Sequence, residues 1–307
     1  HNFMTYDRRW LDHEEGQDVH GRVINALAWA ADLAPNDSMR SLAVRLFQQS
    51  IESIDHFRSP RTQANAIIGI HIYLRKLPGD SQARRARAEL ANRLYTSFAG
   101  NSSPDWPWCE DTVTYDNGKL PHALILGGQA IPDPAMLEQG LRSLQWLVDL
   151  QLASDSSVHL IGNRGWLTRL GQRAPFDQQP IEVMALVEAC AEACRCTGEV
   201  IWRDRARAFR GWFLGSNETP WYMVGLSVMA TQASAITFLS TPGQAYHDGM
   251  GFVQFYFGLP LAMVVICFTF IPIYHRLKVF TAYEFLEQRF DLKTRSFAAV
   301  LFLVQRG

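Results

Sequence analysis

The sequence predicts an all-α chain in two unlike parts: a string of helix hairpins to about residue 214, then long apolar helices to residue 307. Three observations carry this. Apolar residues recur at helical spacing between regularly placed breakers. No stretch alternates with period two for long enough to suggest a sheet. The charge also runs out: residues 1–215 hold 23 Lys and Arg and 25 Asp and Glu, against 6 and 5 in residues 216–307. The whole-chain net charge of −1 and mean hydropathy of −0.09 conceal that break. One solvent does not suit both parts.

The chain opens on His1, which reads as a cut end, and Asp7, Arg8, Arg9, Asp12, Glu14 and Glu15 occupy the place of a signal-peptide core. Breakers then follow at Pro35-Asn36-Asp37, Ser59-Pro60, Pro78-Gly79-Asp80, Pro132-Asp133-Pro134 and Thr197-Gly198, dividing about eight helices. Asp37, Ser59 and Asp80 stand at expected N-cap positions. Leu42, Ala43, Leu46, Phe47, Ser50, Ile51 and Ile54 form one apolar stripe. Leu137, Leu141, Leu144, Val148 and Leu152 form a second, and Val183, Leu186, Val187, Cys190 and Cys194 a third. Consecutive antiparallel hairpins are the economical packing for such a string. Cys190, Cys194 and Cys196 share one predicted helix with no fourth ligand at zinc spacing, so they read as reduced thiols. The near-neutral charge leaves no basic stripe to neutralise phosphates, which excludes a nucleic-acid partner.

Two predicted loops are too rich in aromatic and acidic residues to be plain connectors. One runs Asp105-Trp106-Pro107-Trp108-Cys109-Glu110-Asp111 and on through Thr114-Tyr115-Asp116-Asn117. The other is Ile161-Gly162-Asn163-Arg164-Gly165-Trp166 with Arg173 to Pro180. Aromatic faces cover the C–H side of a sugar and carboxylates accept from its hydroxyls, so Trp106, Trp108 and Trp166 are candidate substrate-binding residues. Asp111, Asp116 and Asp177 are the candidate acid–base carboxylates. The alternative is that the tryptophans plug the core and the acids cap helices.

These motifs carry a resemblance. Phe3-Met4-Thr5-Tyr6-Asp7-Arg8-Arg9-Trp10, Asp18-Val19-His20-Gly21-Arg22, Trp106-Pro107-Trp108, Val113-Thr114-Tyr115-Asp116-Asn117, Gly162-Asn163-Arg164-Gly165-Trp166 and Phe176-Asp177-Gln178-Gln179-Pro180-Ile181-Glu182 resemble the helical (α/α)-toroid region of a group of bacterial glycosyltransferases. The resemblance spans residues 1–214. It implies a ring of hairpins, here incomplete and open, since six hairpins need twelve helices. It does not say which acid is catalytic. The family's sugar-nucleotide domain has no counterpart.

Beyond the junction at 215–220, Asp, Glu, Lys and Arg are absent from Trp221 to Tyr246 and again from Met250 to Tyr274. Each run is long enough to cross a bilayer at 1.5 Å per residue, so spans are expected over 221–246 and 250–274, with a third cut off after Ser296. Arg276, Lys278, Arg289, Lys293 and Arg295 place the segment after the second span, and with it the hairpin part, in the cytoplasm; the lipid bilayer is therefore an expected partner. Residues 279–290 read as an amphipathic surface helix. Small and polar residues at mid-depth, Ala230-Thr231-Gln232-Ala233-Ser234-Ala235 and Thr237, do not make a plain anchor.

The run Trp221-Tyr222-Met223-Val224-Gly225-Leu226-Ser227-Val228-Met229-Ala230-Thr231-Gln232-Ala233-Ser234-Ala235 is similar to the first core helix of sodium/solute symporters of the sugar-transporter type. Phe238-Leu239-Ser240-Thr241-Pro242-Gly243, Tyr274-His275-Arg276-Leu277-Lys278 and Thr281 to Phe290 extend the likeness to the chain's end. The resemblance implies truncated transmembrane helices of a LeuT-like fold. It implies a sodium ion half-coordinated by the backbone carbonyls of Ala230 and Ala233, with Gln232 and Thr237 facing a small solute or sugar. The remaining sodium ligands belong to a later helix of the family. Phe213-Leu214-Gly215 suits both patterns, so the junction reads as a chimera made at a shared triplet. The expected function is a sodium-coupled solute symporter fragment behind a carbohydrate-related helical domain, in a bacterial inner membrane and not transport-competent alone. The alternative is a glycosyltransferase-type carbohydrate-active enzyme region with a C-terminal membrane anchor.

Overall fold

The computed structural model describes residues 3–4, 10–11, 17–214, 220, 222–224, 227, 242–243, 245–247, 249, 251, 257–277 and 282–306. The chain divides into two units, His1–Thr219 and Pro220–Gly307, and its described residues are mostly helical. In the first unit the helices are α1 (Gln17–Leu33), α2 (Asp37–Ile51), α3 (Pro60–Lys76), α4 (Ser81–Asn101), α5 (Lys119–Ala130), α6 (Pro134–Gln151), α7 (Ile181–Thr197) and α8 (Val200–Phe213).

The odd helices pack on one another in sequence, α1 on α3, α3 on α5 and α5 on α7, and each even helix folds back on the odd one before it. Burial follows this division. Thirteen of the 17 residues of α3 are buried, against three of the 15 in α2. The expected stripe on α2 is therefore too wide. Ala43, Phe47 and Ile51 are buried at four-residue spacing, whereas Leu42 and Leu46 stay exposed, because an outer helix buries one face only. They line an apolar surface groove of about 460 Å³ with Leu27, Trp29, Leu33 and Met39. Between α1 and α3 two glycines act reciprocally. A Cβ on Gly21 would lie 2.6 Å from the Thr62 carbonyl, and one on Gly69 would lie 2.7 Å from the Asn25 Cα. At each contact a glycine on one helix lets the backbone of the other come close.

Caps follow local chemistry. Asp80 accepts from the Ala83 amide at 2.9 Å, and Asp133 accepts from those of Ala135 and Met136. At α2 the cap is Asn36, which accepts from Met39 N at 2.9 Å; Asp37 is the first helical residue and pairs with Arg40 instead. Ser59 holds the N-cap position of α3 without a side-chain bond.

Short ladders interrupt the helical pattern: β1 (Phe3–Met4) with β2 (Trp10–Leu11), and β3 (Thr112–Val113) with β4 (Leu167–Thr168), both antiparallel. Two-residue strands carry no readable alternation. The second ladder matters most, because it ties the loop before α5 to the loop before α7.

In the second unit α9 (Gly258–Leu277), α10 (Ala282–Arg289) and α11 (Leu292–Arg306) are described. Within α9, Pro260–Leu277 has a mean hydropathy of 1.6, the one helix among the described residues long and apolar enough to cross a membrane. Of the span expected over 250–274, residues 258–274 fall within α9, which runs on to Leu277, while residues 250 and 252–256 lie outside the described residues. Pro260 falls in the first turn, where its missing N–H costs nothing. Most of the expected span 221–246 lies outside the described residues. The helix expected over 279–290 appears as α10 and packs on α11, where Arg295 pairs with Glu287. The third run is helical from Leu292, ahead of Ser296.

Candidate functional site

Because every hairpin reverses the chain, the four odd helices of the first unit run in one direction and begin at one end. Their starts carry a set of polar residues: the half-buried Asp18 and Arg22 on α1, and the buried Arg61 and Asn65 on α3, Asp116 and Asn117 just before α5, and Glu182 on α7. The partial positive charge of several helix N-termini makes that end suited to carboxylates.

Asn117 holds the network together. Its backbone N–H and its Nδ2 both donate to Glu182 Oε2, at 2.8 and 3.0 Å, and its Oδ1 accepts from an Arg61 Nη at 3.1 Å. Arg61, itself 4% exposed, also donates to the Tyr115 carbonyl at 2.7 Å and to Glu110 at 2.6 Å. Gln151 Nε2 donates to Glu182 Oε1 at 3.4 Å, while Gln151 Oε1 accepts from the Ile161 amide at 3.2 Å. Glu182 thus joins the loop before α5 to the loop before α7. Burial pushes its carboxyl up to about 7, opposed by the Asn117 amide and Gln151. Asp116 is buried in a left-handed backbone conformation, φ 53°, and pairs with Arg22 at 3.0 Å. Burial also raises its carboxyl above the usual range, with Arg22 and then Lys119 opposing.

The expected site residues part company here. Asp116 belongs to this network. Asp111 is 79% exposed and faces Arg169 at 3.5 Å, and Asp177 is half exposed and pairs with Arg164 at 2.7 Å. Three different arginines hold the three acids, and no hydrogen bond among the described residues joins them. Trp108 is fully buried, its ring 5.7 Å from Phe98 and 5.8 Å from Trp146; Trp106 is 6% exposed and donates to the Glu110 carbonyl at 2.8 Å. Rings packed into the core present no face to a sugar, so the core-plugging alternative holds for both. Trp166 is partly exposed, with its ring 6.3 Å from that of Tyr115. Gln232, Thr237, Ala230 and Ala233 lie outside the described residues.

Sequence reasoning did not single out Arg61, Gln151 or Glu182. For Arg61 and Glu182 the available signal was position: a charged side chain in the first turn of a helix, two residues beyond Ser59 and Pro180 respectively. Of the thiols, Cys109 and Cys190 are buried, and burial raises both above the ordinary thiol range. Among the described residues no three His, Cys, Asp or Glu side chains converge as a metal site.

Residues 212–305 match the sodium:solute symporter family. The chain is 37% identical over 106 residues to the sodium/sialic acid symporter of Proteus mirabilis, covering 34% of this chain and 21% of that protein. It is 32% identical over 106 residues to the sodium/sialic acid symporter of Aliivibrio fischeri, with the same coverage of each. With the sodium/glucose cotransporter of Vibrio parahaemolyticus it shares 28% identity over 92 residues, 30% of this chain and 17% of the relative. The chain spans about a fifth of the length of these curated relatives. No solved structure matches. The C-terminal region is thus of the sodium:solute symporter family, and its match starts at Trp212, taking in the Phe213-Leu214-Gly215 triplet within and just after α8.

Proposed function

We propose that residues 221–307 are the opening membrane segment of a sodium-coupled solute symporter with a LeuT-like arrangement. The family match over 212–305 carries this reading, and the apolar exposed helix α9 supports it. In it, the carbonyls of Ala230 and Ala233 supply half of a sodium site, and Gln232 and Thr237 face the solute. Relatives named for sialic acid, glucose, monocarboxylates and iodide support a small solute, a sugar among the candidates. The segment lies in a bacterial inner membrane with the helical unit in the cytoplasm. It does not transport alone, because a midplane site needs both inverted repeats. The test is a segment exchange. The matched stretch of the Proteus mirabilis symporter is replaced by residues 212–305, and sodium-dependent sialate uptake into proteoliposomes is measured. Retained sodium dependence is expected; a correctly inserted exchange that has lost it overturns the reading.

A second reading concerns the helical unit: an incomplete (α/α) toroid of glycosyltransferase type that binds carbohydrate at the Asp116–Glu182 end. The observation favouring it is that buried carboxylates and the partly exposed rings of Tyr115 and Trp166 occupy one end of the odd helices. Glycan-array binding by the full chain and its Trp166→Ala variant tests it. An unchanged array pattern removes Trp166 from the site, and no binding at all removes the reading. The chimeric origin of the junction is tested by long-read sequencing of the source DNA across Gly215, where an intact recurrent fusion counts against it.

A further inference from the structure

We propose that the outer face of α8 docks on anionic phospholipid headgroups of the cytoplasmic leaflet. The inference rests on the membrane reading of residues 221–307. Val200, Arg203, Arg207 and Arg210, with Leu214 just past the helix end, recur at three- and four-residue spacing and so share one side of α8. All five are exposed. Trp202 and Phe209, on the other side, are buried, and α7 is the helix on which α8 packs. Arg205 turns inward as well: it donates to Gln145 and Asp149, and its guanidinium lies 4.9 Å from the Trp202 ring centre. The four arginines of α8 are thus divided, one to packing and three to the open face.

Charge and connectivity name the occupant. Asp204 is the one acidic residue of α8, and it faces Arg207 at 3.4 Å and Arg203 at 4.0 Å. Three arginines against one carboxylate leave the face with two net positive charges. Exposed Ile201 and Phe213 add apolar surface to that of Val200 and Leu214. Water leaves those apolar side chains uncovered, and a dry protein interface would bury the guanidinium groups at a cost. A headgroup layer suits both: phosphates pair with guanidinium forks, while the arginine stems and apolar residues reach the acyl boundary. Such a layer is also within reach. Trp221, where the first charge-free run opens, follows Leu214 by seven positions. Even fully extended, that stretch covers no more than about 25 Å. Anionic lipids of a cytoplasmic leaflet attract arginines held this close to the surface.

The experiment is photo-cross-linking of the full chain in vesicles of phosphatidylcholine, alone or in equal parts with phosphatidylglycerol. Benzoylphenylalanine replaces Val200, at the end of the stripe remote from the membrane segment. An upright α8 would hold that probe about 20 Å above its other end, so contact there reports a helix lying on the surface. Phospholipid adducts are counted by mass spectrometry, with a second probe at the fully exposed Leu170, in the turn after β4, as control. Phosphatidylglycerol is expected to raise the adduct at position 200 about tenfold and to leave that at position 170 unchanged. The combined Arg203→Gln, Arg207→Gln and Arg210→Gln variant should lose the rise. Added salt should abolish it in the chain that keeps all three arginines, which decides the matter if the variant fails to fold. Equal adduct at position 200 with and without phosphatidylglycerol, or an equal rise at position 170, overturns the proposal. Adducts to protein in place of lipid overturn it too, since another chain then covers the face. In each of these cases a chain that resists alkaline extraction from the vesicles leaves the membrane reading standing. A chain that the extraction strips off takes both down.

Discussion

Helices α3 and α9 have similar lengths, 17 and 20 residues, yet they treat their side chains in opposite ways. In α3 even Arg61, Thr62, Gln63 and Asn65 are buried, each drawn inside by its place in the inner layer. In α9 Phe268 is 80% exposed and Leu261 is 71% exposed. Water cannot favour both. In the first unit apolar contact with neighbouring helices stabilises the helix; in the second the apolar surface is turned outward, as a bilayer requires. Sequence periodicity reports helices in both cases. Only charge density tells which solvent they face, and residues 212–213, inside α8 and inside the family match alike, are where the two rules overlap.

The contrast breaks most visibly in the core of the first unit. Trp108→Ala is expected to destabilise that unit by about 3–5 kcal/mol, because it empties a fully buried indole site; chemical denaturation followed by near-UV circular dichroism reads this. If Trp108 instead bound ligand, the loss would fall on binding and spare stability. Next comes Ile266→Asp, near the middle of α9. In a bilayer this change costs about 2.5–3.5 kcal/mol and should sharply lower the inserted fraction in a glycosylation-mapping assay, whereas on a water-exposed helix it would be nearly silent.

Glu182 gives a smaller, pH-dependent test. Its carboxyl keeps its proton in the native state up to about 7, against an ordinary value of 4.5. Between those values the unfolded chain has already released a proton that the native chain still holds, so stability falls as pH rises through this window. Glu182→Gln should flatten that slope, an effect on the order of 2 kcal/mol across the window, seen by comparing urea midpoints at pH 5 and pH 7.5. Equal slopes in the two proteins would show that Asn117 and Gln151 hold the anion as comfortably as water does. Smallest is the cap at α2. Asn36→Ala should cost about 1 kcal/mol and Asp37→Ala about half that or less, since Asp37 contributes only an exposed pair with Arg40; thermal melts of the two variants rank them.

The helices were legible because their breakers and stripes are local. Asp80 caps α4 as its sequence neighbourhood predicts. The cap at α2 slips by one residue because Asn and Asp stand side by side and either can accept from the first turn. The site was far less legible. Trp106 and Trp108 lie among acids in sequence, but both rings pack into the core beside Trp146. Asp116 meets Arg22 across 94 positions, and Asn117 meets Glu182 across 65. No window sees such a pairing. It exists only because alternate helices start at the same end.

That stacking of odd helices has one more consequence. A unit in which each hairpin leans on the next behaves as a linear array, whose middle members have two supports and whose end members have one. Both outermost helices carry uncovered apolar residues: Met39, Leu42 and Leu46 on α2, Val200, Ile201 and Phe213 on α8. Loosening should therefore begin at α2 and α8 and travel inward, with amides of α3 and α5 the last to exchange with deuterium.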